Sequence, residues 1–173
     1  MATKTGHLSM TELTEMLKAV QEKEKAQDQL VRRFQKLVCE EGVSAIANFP
    51  YPMAVYQQDG TLTYVNCALS LGTGLFTSDL PSGSHNILNR ITDANFPLLD
   101  AVEQVFMEKT TFLWGLSDPL DIFISENTSG ITASSQYQSA ILFPMTMQAG
   151  KVSQGAVIFM KGIHKKLKQE GKK

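Results

Sequence analysis

The chain has 173 residues, a net charge of −1, 43% hydrophobic residues and 19% charged residues. That describes an ordinary globular chain of one domain with room for one extra element. Near-neutral charge argues against a nucleic-acid surface, which is normally clearly basic. No apolar run approaches the length of about 18 residues that a membrane span needs. The polar first residues lack the apolar stretch of a signal peptide.

The two cysteines, Cys39 and Cys67, have no metal-ligand spacing. They fit a reducing compartment better than a disulfide scaffold, so a cytoplasmic protein is the expectation.

Residues 1–8 read as a disordered tail. Ser9 and Glu12 are spaced as a capping box, in which each side chain satisfies a helix-end N–H of the other. An amphipathic helix over 9–41 follows. Leu13, Leu17, Val20, Val31, Phe34 and Val38 fall near a seven-residue repeat, which Glu24 and Gln27 interrupt. No Pro or Gly breaks the stretch. One helix of about 30 residues would reach roughly 45 Å, more than a small domain needs for its own core. Two packed helices with a soft middle are the alternative. The six apolar residues point to a homodimer seam, and a helix folded back on its own sheet is the rival reading.

Gly42 suits the left-handed position after a helix end. A short helical lead-in over 43–49 is stopped by Pro50 and Pro52. Strands are predicted over 53–57 and 61–65, joined at Asp59-Gly60. That dipeptide is a hairpin signal because Gly takes positive φ without steric penalty. Asn66 can cap the next helix by accepting a backbone N–H. Helical turns are predicted at 67–71, 77–80 and 85–91. A helix over 98–107 carries Leu99, Val102, Val105 and Phe106 on one face.

Strand-like residues return at 110–114 and 120–124. Residues 125–136 read as a polar loop. A strand over 137–147 contains Pro144, which marks an edge or a bulge. A hairpin turn over 148–151 leads to the last strand, 152–161, with 156–160 as its buried run. Residues 163–173 form a basic tail or the start of a linker, with Ile163 and Leu167 spaced as on an amphipathic helix. The tail is too short to argue for DNA binding. The order as a whole predicts an α+β fold with helices on one face of an antiparallel sheet.

Several motifs come in a fixed order: Asp59-Gly60, Val65-Asn66-Cys67-Ala68, and Leu71-Gly72-Thr73-Gly74 followed by Thr77-Ser78-Asp79-Leu80. Phe143-Pro144-Met145, Gly150 and Gly155-Ala156-Val157 close the series. Their spacing resembles the PAS family over residues 49–162. The resemblance implies a five-stranded antiparallel sheet with helices wrapped over one face, preceded here by the long N-terminal helix. It implies a sensory module over 42–162 that binds a small molecule or cofactor between sheet and helices. Such modules also dimerise through a flanking helix and pass the change to an output domain or partner, as in transcriptional or two-component regulation. One departure is Met160-Lys161-Gly162-Ile163, where the family often has Asp-Ile-Thr before an output helix. No kinase, cyclase or helix-turn-helix output is recognisable in these residues.

Under that resemblance the candidate ligand-binding residues are His85, Asn86, Phe106, Trp114, Phe123, Tyr137, Ile141 and Ile158. Small-molecule sites are mostly apolar with a few orienting polar groups, and plain core is the competing reading of each apolar member. Trp114 would need a partner for its N–H if buried. His85 is the only His in the predicted sensor core. Haem-binding members use a His from the helical side, which makes His85 a candidate axial ligand, against the plainer reading of a surface or capping His. Cys67 reads as a small core thiol, because the adduct-forming Cys of flavin-binding members lies on a later helix. The cofactor is therefore unknown: haem and flavin are open, and a small metabolite fits better.

Gly72-Thr73-Gly74 has Thr77 in place of a third Gly and reads as a loop, not a phosphate cradle. With three His in the chain, no Ser-His-Asp or Cys-His arrangement can be argued. No catalytic or metal-binding residue is assigned, and no enzyme is expected. The expected partners are a second copy of the chain and an unidentified output domain, with no nucleic acid and no membrane. The alternative function is a ligand-free protein–protein interaction module that sets oligomeric state.

Overall fold

The computed structural model describes residues 10–82, 85–124, 136–148 and 151–161. The predicted tails over 1–8 and 163–173, and all but the last residue of the loop predicted over 125–136, lie outside them. The first element is one unbroken helix, α1 (Met10–Glu41), and not two. It ends at Gly42, whose φ of 79° suits glycine but whose ψ of 173° is extended, so the left-handed helix end expected there is not formed. A 3-10 turn, Val43–Ile46, leads to strand β1 (Met53–Gln57) and then β2 (Leu62–Val65).

Helix α2 (Cys67–Thr73) and helix α3 (Pro97–Gln104) follow, separated by 3-10 turns. Strands β3 (Thr111–Trp114), β4 (Tyr137–Gln148) and β5 (Lys151–Lys161) complete the sheet. The five strands lie in the order β2-β1-β5-β4-β3, and every pairing is antiparallel. The architecture is PAS-like, as the motifs imply.

Strand residues point alternately to the two faces of a sheet. Here both faces are buried. Ala54, Tyr56, Ala140, Leu142, Val157 and Phe159 pack with Leu69 of α2 and Leu98 and Val102 of α3. Met53, Val55, Ile141, Phe143, Ala156 and Ile158 pack with Val31, Phe34 and Val38 of α1. The helical face is therefore covered by α2, α3 and the turns, and the outer face by the C-terminal half of α1. Strands buried on both sides read as continuous apolar runs, which explains the unbroken burial of 53–56 and 155–159.

The hairpin behaves as its sequence predicts. Gly60 has φ 84°, and a Cβ there would lie 2.6 Å from Leu88 Cγ. Asp59 Oδ1 accepts the Thr61 N–H at 2.9 Å. Those hydrogen bonds from Thr61 hold the exposed Asp59 carboxyl below its ordinary pKa. Asn66 caps α2 by accepting from Leu69 N at 3.0 Å. Gly74 ends α2 in the left-handed conformation, and Gly72 and Thr73 belong to the helix, not to the loop expected there.

Residues 120–124 depart from expectation. They form a 3-10 turn, Asp121–Phe123, and not a strand. Asp118 has φ 42°, and its carbonyl accepts from Asp121 N at 3.0 Å, which starts the turn. Leu120, Ile122 and Phe123 are all buried, a pattern that period-two alternation cannot satisfy. Pro144 lies beyond Leu142, the last β4 residue paired with β3, so among the described residues only β5 flanks the strand there. Its carbonyl accepts from Gln35 Nε2 of α1 at 2.6 Å, and a bulge follows at Met145/Thr146.

Candidate ligand site between the sheet and the helices

Tyr56 is the polar residue at the heart of the helical face. It is fully buried in β1. Its ring meets Phe106 edge-on, with centroids 5.9 Å apart at 71°. The ring also lies over Gly155 of β5, where an added Cβ would be 2.6 Å from Tyr56 Cζ. Gly155 is thus the space that lets a tyrosine stand on the neighbouring strand. The Tyr56 Oη is buried and has no hydrogen-bond partner among the described residues. Asn95 Oδ1 and Gln154 Oε1 are in the same state, in the turn before α3 and in β5. Leaving a buried polar group unpaired costs about 1–3 kcal/mol.

Burial also pushes the Tyr56 phenol far above the usual range for tyrosine. In the unfolded chain it titrates near pH 10. Above that pH the folded chain keeps a proton that the unfolded chain releases, so stability falls as pH rises. The slope approaches about 1.4 kcal/mol per pH unit for this one group. Tyr56→Phe is expected to lose less melting temperature than the parent between about pH 10 and 11. At neutral pH it should melt at or above the parent, because the orphaned hydroxyl is gone. Parallel losses for both proteins would show that the hydroxyl reaches water.

The sequence-derived site residues divide. Phe106, Phe123 and Tyr137 do come together in the helical-face cluster, and Phe123 packs edge-on against Phe159 at 5.6 Å. Ile141 and Ile158 do not join them. They are paired with each other across β4 and β5 and belong to the outer face beneath α1. Trp114 is 50% exposed at the end of β3, with Lys23 Nζ of α1 3.6 Å from its ring centroid; its N–H needs no buried partner.

Asn86 serves the fold. Its Nδ2 donates to Asp59 O at 2.7 Å, and its Oδ1 accepts from Leu88 N at 2.9 Å and Asn89 N at 3.3 Å. His85 is half-buried on the same segment, where its carbonyl accepts from Leu62 N at 3.0 Å. Residues 85 and 86 therefore extend the edge of β2. Cys67 is exposed and is not a core thiol. It follows the cap residue directly, and α2 turns Leu69, Ser70 and Thr73 inward instead. Cys67 borders an apolar surface recess of about 480 Å³ with Tyr64, Leu71 and Phe76.

Tyr56 was absent from the sequence-derived set. The available signal was a large residue in β1 facing a small one in the last strand. Reading it required the strand register, since Tyr56 pairs with Gly155.

The six-residue seam of α1 divides as well. Val31, Phe34 and Val38 are buried on the chain's own sheet. Phe34 meets Phe49 edge-on at 4.4 Å and lies 6.4 Å from Phe143. Leu17 and Val20 are 62% and 52% exposed. The Leu13 side chain lies outside those described. Among the described residues no group of three or more His, Cys, Asp or Glu is placed to hold a metal. No described helix is long and apolar enough to cross a membrane.

No protein family model matches the chain, and no curated protein matches it. Solved structures do. A sensory box sensor histidine kinase from Vibrio cholerae is similar at 11% identity and a TM-score of 0.47, over 82% of this chain and 98% of that one. The PAS domain of an HTR-like protein from Haloarcula marismortui is similar at 15% identity and a TM-score of 0.45, over 82% and 98%. A PAS domain from Desulfitobacterium hafniense is similar at 14% identity and a TM-score of 0.41, over 67% and 96%.

Proposed function

We propose that this chain is a sensory signalling domain that takes a small molecule between the sheet and the helices, against Tyr56. The observation that carries the reading is the Tyr56 hydroxyl, buried in an apolar cluster with no partner among the described residues. A mostly apolar ligand with one hydrogen-bonding group would satisfy it. Entry requires the helices to repack, because Leu69, Leu98, Phe123 and Phe159 are fully buried there. The ligand then acts by favouring the opened packing, and signals only as far as its affinities for the two packings differ.

The reporter in this proposal is α1. Its C-terminal half lies on the outer face of the same strands that line the ligand side, so the sheet is a shared wall. The overhanging half carries Leu17 and Val20 and supplies a homodimer contact in the cytoplasm. From there the change passes to an output partner in transcriptional or two-component regulation.

A double variant, Leu17→Glu with Val20→Glu, is expected to weaken dimerisation by at least about tenfold in sedimentation equilibrium. Its melting temperature at high dilution should stay that of the parent, since neither residue touches the sheet. An unchanged association constant would reject this interface.

The filling of the interior favours a second reading, a ligand-free interaction module that sets oligomeric state. Native mass spectrometry with a visible absorption spectrum separates the two. A retained small-molecule mass that Tyr56→Phe loses would support the sensor. A flavin or Soret band would name the cofactor. A colourless protein at its bare chain mass, unshifted in melting by a metabolite library, would leave the interaction module in its place.

A further inference from the structure

We infer a second small-molecule site, on the opposite side of the sheet from Tyr56, that takes a small aromatic carboxylate. A recess of about 320 Å³ lies between α1 and the ends of β3, β4 and β5. Lys23 and Gln27 of α1 form one wall, and Trp114, Ser139, Met160 and Lys161 form the other. Its volume is at the small end of the usual range for ligand cavities.

The lining chemistry is selective. Lys23 and Lys161 bring two positive charges, and the lining residues include no carboxylate. The Lys23 ammonium already sits on the Trp114 ring, 3.6 Å from its centroid. A cation held over an indole face marks the two groups that a planar anion would engage together: the ammonium for its carboxylate, the indole for its ring. Met160 adds an apolar contact, and Ser139, nearly buried, adds a hydroxyl.

Gln27 adds a third polar group to the wall. It interrupts the apolar repeat of α1, where a leucine would pack better. The residue is only 9% exposed and lines the recess, where its amide can donate to a ligand carboxylate. Because the site joins α1 to the sheet, occupancy clamps the helix in its packed position.

The test uses the single tryptophan of the chain, whose emission reports this recess alone. Benzoate is titrated at neutral pH and low salt, with benzamide as the uncharged control and cyclohexanecarboxylate as the non-aromatic one. The expected result is a saturable emission change with benzoate and at least about tenfold weaker responses to both controls. Lys23→Gln with Lys161→Gln should weaken benzoate by a similar factor. Gln27→Leu should abolish the response while raising the melting temperature. Tyr56→Phe should leave the titration unchanged, which keeps this site separate from the interior one. No saturable response to benzoate, equal binding of benzamide, or an unaltered titration in the double lysine variant would overturn the inference.

Discussion

Ile158→Asp is expected to unfold the domain. Ile158 is fully buried in β5. It pairs with Met53 of β1 on one side and Ile141 of β4 on the other, in the cluster that α1 covers. Removing the isoleucine forfeits about 2–5 kcal/mol of packing and burial. The aspartate adds a carboxyl with no partner among those side chains, and its desolvation costs several kcal/mol more. Together these rival the whole stability of a typical domain, about 5–15 kcal/mol. The check is the cooperative melt by circular dichroism, which should vanish at 25 °C or shift far down. Ile158→Val, a loss of about 1 kcal/mol, is the control for simple trimming. A parent-like melt for the aspartate variant would mean that Ile158 is not enclosed between β5 and α1.

Asn66→Ala is expected to cost about 3 kcal/mol, a drop of roughly 10 °C in melting temperature for a domain of this size. The asparagine does more than cap a helix. Its Oδ1 accepts from Leu69 N at 3.0 Å and from Met53 N at 2.9 Å. Its Nδ2 donates to Phe49 O at 3.1 Å and Tyr51 O at 2.8 Å. One fully buried side chain thus ties together the lead-in, the start of β1 and the first turn of α2. Asn66→Asp separates the two roles. Aspartate is as good a cap as asparagine, but it cannot donate, and it would face two carbonyl oxygens. The aspartate variant should therefore remain at least as unstable as the alanine one. Recovery to near-parent stability would reduce Asn66 to a helix cap.

The elements that the sequence made legible are those governed by local chemistry. Asp59-Gly60, the Asn66 cap, the glycine that ends α1 and the proline stop after Phe49 each act within a few residues. Sequence motifs therefore located them, and their order implied the PAS-like fold. The faces of the sheet were not legible. With 53–56 and 155–159 buried on both sides, alternation disappears, so Ile141 and Ile158 could not be told from the residues that face α2 and α3. Tyr56 was hidden for the same reason, since its space is Gly155, about 100 positions away in the chain.

The helix seam failed differently. Val31, Phe34 and Val38 carry the spacing that either a second helix or the chain's own sheet would accept, and spacing does not identify the partner. The turn at 121–123 depends on the positive φ of Asp118, for which a run of apolar residues gives no sign.

The continuity of α1 has a mechanical consequence. From Gln27, where burial begins, to Met10 the helix projects about 25 Å with no proline or glycine at which it could flex. Displacement at the sheet is therefore transmitted as in a stiff lever. A tilt of about 10° at the packed end would carry the far end sideways by roughly 4 Å, close to the pitch of one helical turn. Such a step is enough to move a contacting side chain from one groove to the next.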